Sequence, residues 1–546
     1  MRPNRSIVAC VLFFIAGSIA SIMAAQEAEP LVIESPDFES RSSNTIEINK
    51  LELRTTETVL HGDLYGKPNY WVRLSSGSYL KGASGKVYKL RRSEGFPLDS
   101  TVYLPASGHH PFILYTEPLD KDETSFDFTE GDVEGAFVIK GIKTTKSTPD
   151  APICCHLQGT IIDRPYSSRL MLLKADGDFR VATEMFIPIK EGRFEADIYG
   201  SDVEAYELVF YDEGMNGAWR PVYFFLEPGN IQFELYPMDQ FERNQVVGGE
   251  QTSAYYRHMQ QREALFSADS LFAQMEKLSK EDRYESPIAK ALRLAIQQTN
   301  DPVVLDSLYR CRSTLSKEAS LSKEAQVLNA QLDTLSQHCI EWELGYIKNN
   351  PSLMGYYLLT DRLGSTRDND TKHLATYTEL AAQYARLFPK HTYTHKLSEQ
   401  LGSQSLIRIG GTYLDFTAPD FNGKPYRLSD QIKGKVALID LWASWCGPCR
   451  RTSLSMIPVY EAFKDKGFVI VGIAREESVD DAINTVKKDK YPWLNLIDLK
   501  DSVGVWQKYG VGNAGGATFL VDRQGVILAI GPTAEQVEVL LKQHLE

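Results

Sequence analysis

The sequence predicts a multidomain chain in which two N-terminal β-sandwich-like modules and a helical spacer precede a C-terminal α/β domain. Three observations carry this expectation. A chain of 546 residues exceeds what one hydrophobic core serves, since cores stop growing beyond roughly 250–300 residues. Apolar residues come in short alternating runs through the first half and then switch to helical spacing. From Ile409 onward, apolar strand-like runs alternate with helical stretches, the order of an α/β sheet.

Composition narrows the classes further. Hydrophobic residues make up 43% and charged residues 24%, ordinary for globular chains, which excludes collagen-like, coiled-coil and wholly disordered readings. Lys plus Arg is 59 against 72 Asp plus Glu, a net charge of -13. A surface this acidic does not attract phosphate backbones, so no nucleic-acid partner is expected. Seven cysteines are too few for a disulfide-dense scaffold of this length.

Residues 1–25 read as a signal peptide. Arg2 and Arg5 precede an apolar run from Ile7 to Met23, and Ala24-Ala25 provides a small-residue exit. Cys10 lies inside that run, whereas a lipoprotein cysteine closes it. No later stretch is apolar enough to span a bilayer, so the processed chain is expected to be exported, periplasmic or envelope-associated, and free of membrane spans.

Residues 26–150 form the first expected β module. Runs such as Thr45-Ile46-Glu47-Ile48, Tyr70-Trp71-Val72-Arg73-Leu74 and Phe112-Ile113-Leu114-Tyr115 alternate between clusters of turn residues. The acidic stretch from Asp120 to Asp132 reads as a solvated loop without calcium-loop spacing. Residues 151–245 repeat the β character, with strand-like Leu170-Met171-Leu172-Leu173 and Tyr206-Glu207-Leu208-Val209-Phe210 and turn chemistry at Asp176-Gly177-Asp178 and Glu227-Pro228-Gly229-Asn230. Residues 246–405 form a helical spacer or small bundle. Leu321, Ala325, Leu328, Leu332, Leu335 and Cys339 draw one stripe that Asn349-Asn350-Pro351 stops. His391 and His395 lie one helical turn apart, without the Glu of a metalloprotease motif.

Residues 406–546 form the last domain. Val436 to Trp442 is a nearly continuous apolar run, as a buried parallel strand requires. A helix follows from about Cys449 to Lys464, then a strand from Phe468 to Ile473, a helix near Val479 to Lys488, a hairpin of Thr518–Asp522 with Val526–Ala529, and a last helix from Ala534 to Leu545. The domain carries equal numbers of basic and acidic residues, so the net negative charge belongs to the upstream modules.

The chemistry sits at Trp445-Cys446-Gly447-Pro448-Cys449, between the buried strand and its helix. Two cysteines separated by two residues at a helix start close a disulfide readily. The N-terminal sulfur meets free N–H groups and the positive end of the helix dipole, which favours its thiolate. Arg450 and Arg451 add positive charge beside it. The resulting expectation is that Cys446 attacks a partner disulfide and Cys449 resolves the mixed disulfide. A structural disulfide and half of a zinc site are the competing readings. Zinc needs two more ligands at suitable spacing, and the only histidine after residue 406 is His544. No metal and no cofactor beyond the redox-active Cys446–Cys449 pair is expected. Of the other cysteines, adjacent Cys154 and Cys155 point to opposite faces of a strand. Cys311 and Cys339 are either core residues or a bridge between helices.

Leu438-Ile439-Asp440-Leu441-Trp442-Ala443-Ser444-Trp445-Cys446-Gly447-Pro448-Cys449-Arg450 resembles the thioredoxin active-site strand and motif. With Phe416-Thr417-Ala418-Pro419-Asp420-Phe421 and Gly434-Lys435 ahead of it, the stretch from 409 to 546 is similar to the exported TlpA/ResA-like thioredoxin subfamily. Residues 153–240 more weakly resemble a β domain of unknown function found upstream of such domains. The resemblance implies a thioredoxin fold and disulfide exchange. It also implies that Asp440 is a buried carboxylate with a raised pKa that takes the Cys449 proton, that Trp442 and Trp445 pack around the pair, and that Pro448 tunes its potential.

Three positions depart from that subfamily's pattern: Thr452 stands for Glu, Leu454 for Pro, and Gly516 occupies the place of a cis-proline before Thr518-Phe519-Leu520-Val521-Asp522. A cis peptide without proline costs about 2.5–4 kcal/mol, so a trans, more mobile loop is expected at Gly516. The functional expectation is an exported thiol-disulfide oxidoreductase, a reductase by analogy of its Gly-Pro pair. It would act on protein disulfide or thiol substrates and be supplied by a membrane thiol-reducing electron donor. An oxidase or isomerase, a thiol peroxidase, and a binding protein whose thioredoxin-like domain serves for docking are the alternatives.

Overall fold

The computed structural model describes residues 30–131, 136–145, 151–175, 177, 185–313, 315–365, 372–513 and 515–545. The stretch read as a signal peptide lies outside them, as do Asp176 and Asp178 of the Asp176-Gly177-Asp178 turn. The chain divides into two compact units, one reaching Asp150 and including Pro165–Ser168, the other holding Ala151–Arg164 and Arg169–Glu546.

Among the described residues every helix or strand of the first unit is a strand. Its strands form one nine-stranded order: Leu31–Glu34, Ile46–Leu53, Thr58–Tyr65, His109–Thr116, Val87–Glu94, Tyr79–Gly82, Ser125–Thr129, Val138–Lys143 and Ser40–Arg41, with a two-stranded ribbon of Trp71–Val72 and Val102–Tyr103. This differs from the two separate sheets of a sandwich. The strands still enclose one apolar core that includes Ile46, Leu60, Leu80, Phe112 and Phe126. The acidic stretch after Asp120 is not simply solvated. Glu123 is buried and accepts a hydrogen bond from Tyr88 Oη at 3.0 Å, and Asp120 pairs with Lys86 at 2.7 Å.

In the second unit, two four-stranded sheets come first. One orders Arg193–Gly200, Ile153–Ile161, Gly229–Leu235 and Gln245–Val247, and the other Met185–Pro188, Arg169–Lys174, Ala205–Phe210 and Val222–Phe225. Leu157, Ile231 and Leu235 of one sheet meet Leu170, Leu208 and Phe224 of the other in a shared core. Cys154 and Cys311 are exposed and Cys155 and Cys339 buried, and none of the four is in a disulfide, so no bridge joins Cys311 to Cys339.

The helices from Glu250–Phe266 to Thr392–Leu406 pack together and against the preceding sheet. Tyr356, Leu359, Leu380 and Tyr384 pack into one core with Ala205 and Phe225 of the preceding sheet. Polar bonds tie the same joint. The carboxylate of Glu227 accepts the N–H groups of Glu250, Gln251 and Thr252 at 2.9, 3.0 and 2.9 Å, satisfying the orphan donors of the first helix. Ala205 N–H donates to Tyr393 Oη at 2.8 Å. The long helix Lys323–Asn349 starts where Ala325 N–H donates to Ser322 Oγ at 3.1 Å and ends at the predicted Asn349. His391 lies ahead of helix Thr392–Leu406, its Nε2 3.2 Å from the Val203 carbonyl oxygen and its Nδ1 accepting Tyr393 N–H at 3.2 Å.

The last domain is a five-stranded sheet ordered Leu494–Leu499, Phe468–Glu476, Val436–Trp442, Ala517–Val521 and Ile527–Ile530. The first three strands run parallel and the last two antiparallel. Every residue of the central strand Val436–Trp442 is buried, which explains its unbroken apolar run. Helices Gly447–Phe463, Val479–Asp489 and Ala534–Leu545 add Met456, Ala482 and Val537 to this core. Each fully buried aliphatic side chain contributes about 1.5–3 kcal/mol. Among the described residues no helix is long and apolar enough to cross a membrane.

Candidate active site

Strand Val436–Trp442 delivers the chain to the edge of the sheet, and helix Gly447–Phe463 carries it away. Cys446 is the N-cap residue of that helix, and its Sγ accepts the Cys449 N–H at 3.3 Å. Pro448 lies exposed in the first turn, where a missing N–H costs nothing. Cys446 and Cys449 are joined as a disulfide with Cα atoms 5.3 Å apart. Their residues are only 4% and 9% exposed.

Asp440 lies beneath this helix, 2% exposed, in register with Gly472 and Thr518 on the flanking strands. Burial pushes its carboxyl up to about 7, against a lowering by the Ser453 hydrogen bond. Ser453 Oγ lies 2.7 Å from Asp440 Oδ2 and 3.1 Å from the Cys449 carbonyl oxygen. A hydroxyl has one proton. When Asp440 is neutral its O–H donates to Ser453, which donates to the carbonyl. When Asp440 is charged, Ser453 turns its proton to the carboxylate. Ser453 thus links the carboxyl to the helix turn of Cys449. It stands four residues after Cys449, on the same helix face, and that spacing could have flagged it.

A second buried carboxylate flanks the motif. Glu476, 2% exposed, ends strand Phe468–Glu476. It accepts the Ser444 N–H and, at 2.9 Å, the Ser444 hydroxyl. Burial pushes it up to about 7 although both Ser444 bonds favour its charge. Sequence reading ended this strand at Ile473 and missed Glu476, because Arg475-Glu476-Glu477 looks like a polar loop.

Trp442 is fully buried and donates from Nε1 to Asn495 Oδ1 at 3.1 Å. Trp445 packs against Trp506 with centroids 5.9 Å apart. Arg450 does not bring free charge to Cys446 as expected. Its Nε and Nη2 reach the Asp489 carboxylate at 2.7 and 2.8 Å, which holds Asp489 below the usual carboxylate range.

The loop opposite the sulfurs is tied at Asn513, which accepts Arg475 Nη1–H at 2.9 Å and donates from Nδ2 to the Gly177 carbonyl oxygen at 3.2 Å. Gly516 follows. Its N–H donates to Cys449 Sγ at 3.1 Å, and its backbone passes so close to strand Val436–Trp442 that a Cβ there would lie 1.8 Å from the Leu441 carbonyl oxygen. Among the described residues no group of three His, Cys, Asp or Glu side chains is placed to hold a metal ion.

Comparison with known proteins converges on this domain. The AhpC/TSA family profile matches residues 409–530. The thiol-disulfide oxidoreductase ResA of Bacillus anthracis is 32% identical over 146 residues, which cover 25% of this chain and 79% of that protein. ResA of Geobacillus thermodenitrificans is 29% identical over 143 residues, 26% of this chain and 79% of that protein. A solved thioredoxin domain of a thiol-disulfide oxidoreductase from Bacteroides vulgatus is 28% identical and covers 26% of this chain and 99% of that one, with a TM-score of 0.23. Through its C-terminal thioredoxin-fold domain, the chain belongs to the ResA-type thiol-disulfide oxidoreductases of the AhpC/TSA family.

Proposed function

We propose that this protein is an exported reductase of protein disulfides. In its reduced form the Cys446 thiolate attacks a substrate disulfide, forming a mixed disulfide and releasing one substrate thiolate. Cys449 then attacks Cys446 Sγ, closing the Cys446–Cys449 bond and releasing the second substrate sulfur. The Cys449 proton passes to Asp440, in the region of Ser453. The observation that carries this reading is the pair itself: a disulfide at a helix N-terminus, with the Cys449 N–H on Cys446 Sγ and a buried carboxyl beneath it.

Export rests on the N-terminal Arg2–Ala25 pattern. In an oxidising compartment a reductase must be recharged, which calls for a membrane thiol-reducing donor. Trp442, Trp445 and Pro448 shape the surroundings of the pair, and the upstream modules present the acidic surface. The test is insulin reduction by the protein together with the potential of Cys446–Cys449 in dithiothreitol and glutathione buffers. Turnover with a potential at or below about -250 mV supports a reductase, and a potential above about -180 mV reverses the direction to oxidase or isomerase. No turnover from a folded protein whose disulfide dithiothreitol opens would favour the docking reading.

A further inference from the structure

We infer that the backbone N–H of Gly516 is the thiolate-stabilising donor for Cys449, which makes Gly516 a positioning residue of the exchange reaction. The inference rests on the oxidoreductase reading for its consequence and on the geometry for its substance. Gly516 N lies 3.1 Å from Cys449 Sγ. Its φ is not in the left-handed region, so glycine is not needed for backbone freedom. Space requires it, since a Cβ would lie 1.8 Å from the Leu441 carbonyl oxygen and 3.2 Å from Cys449 Sγ. Proline would meet the same oxygen and would also lack the N–H. Gly515 adjoins it, its Cβ position at an ordinary contact distance of 3.7 Å from Cys446 Sγ.

Burial and the nearby Asp440 carboxyl work against charge on Cys449, whereas its place in the first helical turn favours it. The residue is buried, which raises a thiol pKa. Asp440, linked through Ser453, adds a like charge once ionised. On the remaining elements around the site, Arg450 is held by Asp489, Arg475 by Asp501 and Asn513, and Glu476 by Ser444. The Gly516 N–H points its positive end at the sulfur itself.

The donor acts where Cys449 carries charge. When a donor thiolate attacks Cys446 Sγ, the Cys446–Cys449 bond breaks, a new bond to Cys446 forms, and Cys449 departs with the electron pair as a thiolate. A better-stabilised leaving thiolate leaves faster. Gly516 therefore speeds recharging of the oxidised protein. In the forward direction it keeps Cys449 ionised for its attack on Cys446 once Asp440 has taken the proton.

The test needs no change at Gly516. In 15N-glycine-labelled Cys446→Ser protein, Cys449 is titrated by its alkylation rate against pH while the Gly516 amide is followed by NMR. The expected result is a downfield movement of the Gly516 amide proton with the same midpoint as Cys449 alkylation. A Gly516 amide that stays flat through that midpoint overturns the inference. In a second arm, Gly516→Pro removes the donor. If it folds, the Cys449 pKa should rise by about one to two units, the usual worth of a hydrogen bond to a charged group, and dithiothreitol should open the disulfide about tenfold more slowly. An unchanged pKa in a folded Gly516→Pro protein also overturns it. Insulin turnover of the unaltered protein separates the two claims. Turnover with a flat amide leaves the functional reading standing and removes this one, and a tracking amide without turnover does the reverse.

Discussion

Ser453 Oγ sits 2.7 Å from Asp440 Oδ2 and 3.1 Å from the Cys449 carbonyl oxygen, so a single hydroxyl joins the buried carboxyl to the helix turn of the second cysteine. Ser453 is itself fully buried. Its bond is the one influence that favours the charged form of Asp440 against burial. Ser453→Ala should therefore raise the Asp440 pKa further and shift the pH profile of insulin reduction upward by about one unit, the scale of one hydrogen bond to a charged group. Ser453→Thr, which keeps a hydroxyl, should restore the profile. An unmoved profile in Ser453→Ala would show that the Ser453 bond does not set the Asp440 pKa.

Asp440 also sets a pH dependence of stability. Folded, it keeps its proton up to about pH 7, whereas an unfolded Asp releases it near ~3.9. Between those values the folded state binds more protons, so stability falls as pH rises through that window. Asp440→Asn abolishes this contribution. Denaturant unfolding should find the variant close to the wild type near pH 4 and more stable at pH 8, by at most about 4 kcal/mol. A difference independent of pH would mean that Asp440 does not titrate there.

Glu476 gives a contrast of opposite sign in function. Its carboxylate accepts both Ser444 donors two residues before Cys446, and one amide oxygen of a glutamine replaces only part of that. Glu476→Gln should lower insulin turnover about tenfold at pH 8, on the scale of about 1.5 kcal/mol for a weakened charged hydrogen bond. Near pH 5, where Glu476 is itself protonated, the variant and the wild type should converge. Equal loss at both pH values would point to packing rather than charge.

A steric prediction concerns the strand beside Asp440. A Cβ on Gly472 would lie 2.3 Å from Asn495 Oδ1 and 3.0 Å from Trp442 Nε1, the two partners of a buried bond. Gly472→Ala should destabilise the fold by about 1–3 kcal/mol, the scale of core overpacking, and shift Trp442 fluorescence. Wild-type stability would show that the strand has room to spare.

The sequence made the C-terminal domain legible because its signals are local. The apolar run Val436–Trp442 marks a strand buried on both faces, and two cysteines at a helix start are read from spacing alone. What escaped depends on contacts distant in sequence. Glu476 is buried by the chain that passes over Ser444, which no run of neighbours reveals. Arg450 looked like free positive charge until Asp489, far along the chain, came to hold it. Helical periodicity gave the stripe through Ala325 and Leu328, but a stripe does not name its partner, and the helices after residue 250 share a core with Phe225. Strand order in the first unit was equally hidden, since Ser40–Arg41 pairs with Val138–Lys143 across most of the module.

The most direct test of the account is a trapping experiment. Reduced Cys449→Ser protein, mixed with disulfide-intact insulin and quenched with acid, should yield a covalent adduct whose mass places one insulin molecule on Cys446 and which dithiothreitol releases. The Cys446→Ser protein should yield none. A folded Cys449→Ser protein that forms no adduct, or an adduct that persists in Cys446→Ser, would contradict the assignment of Cys446 as the attacking sulfur.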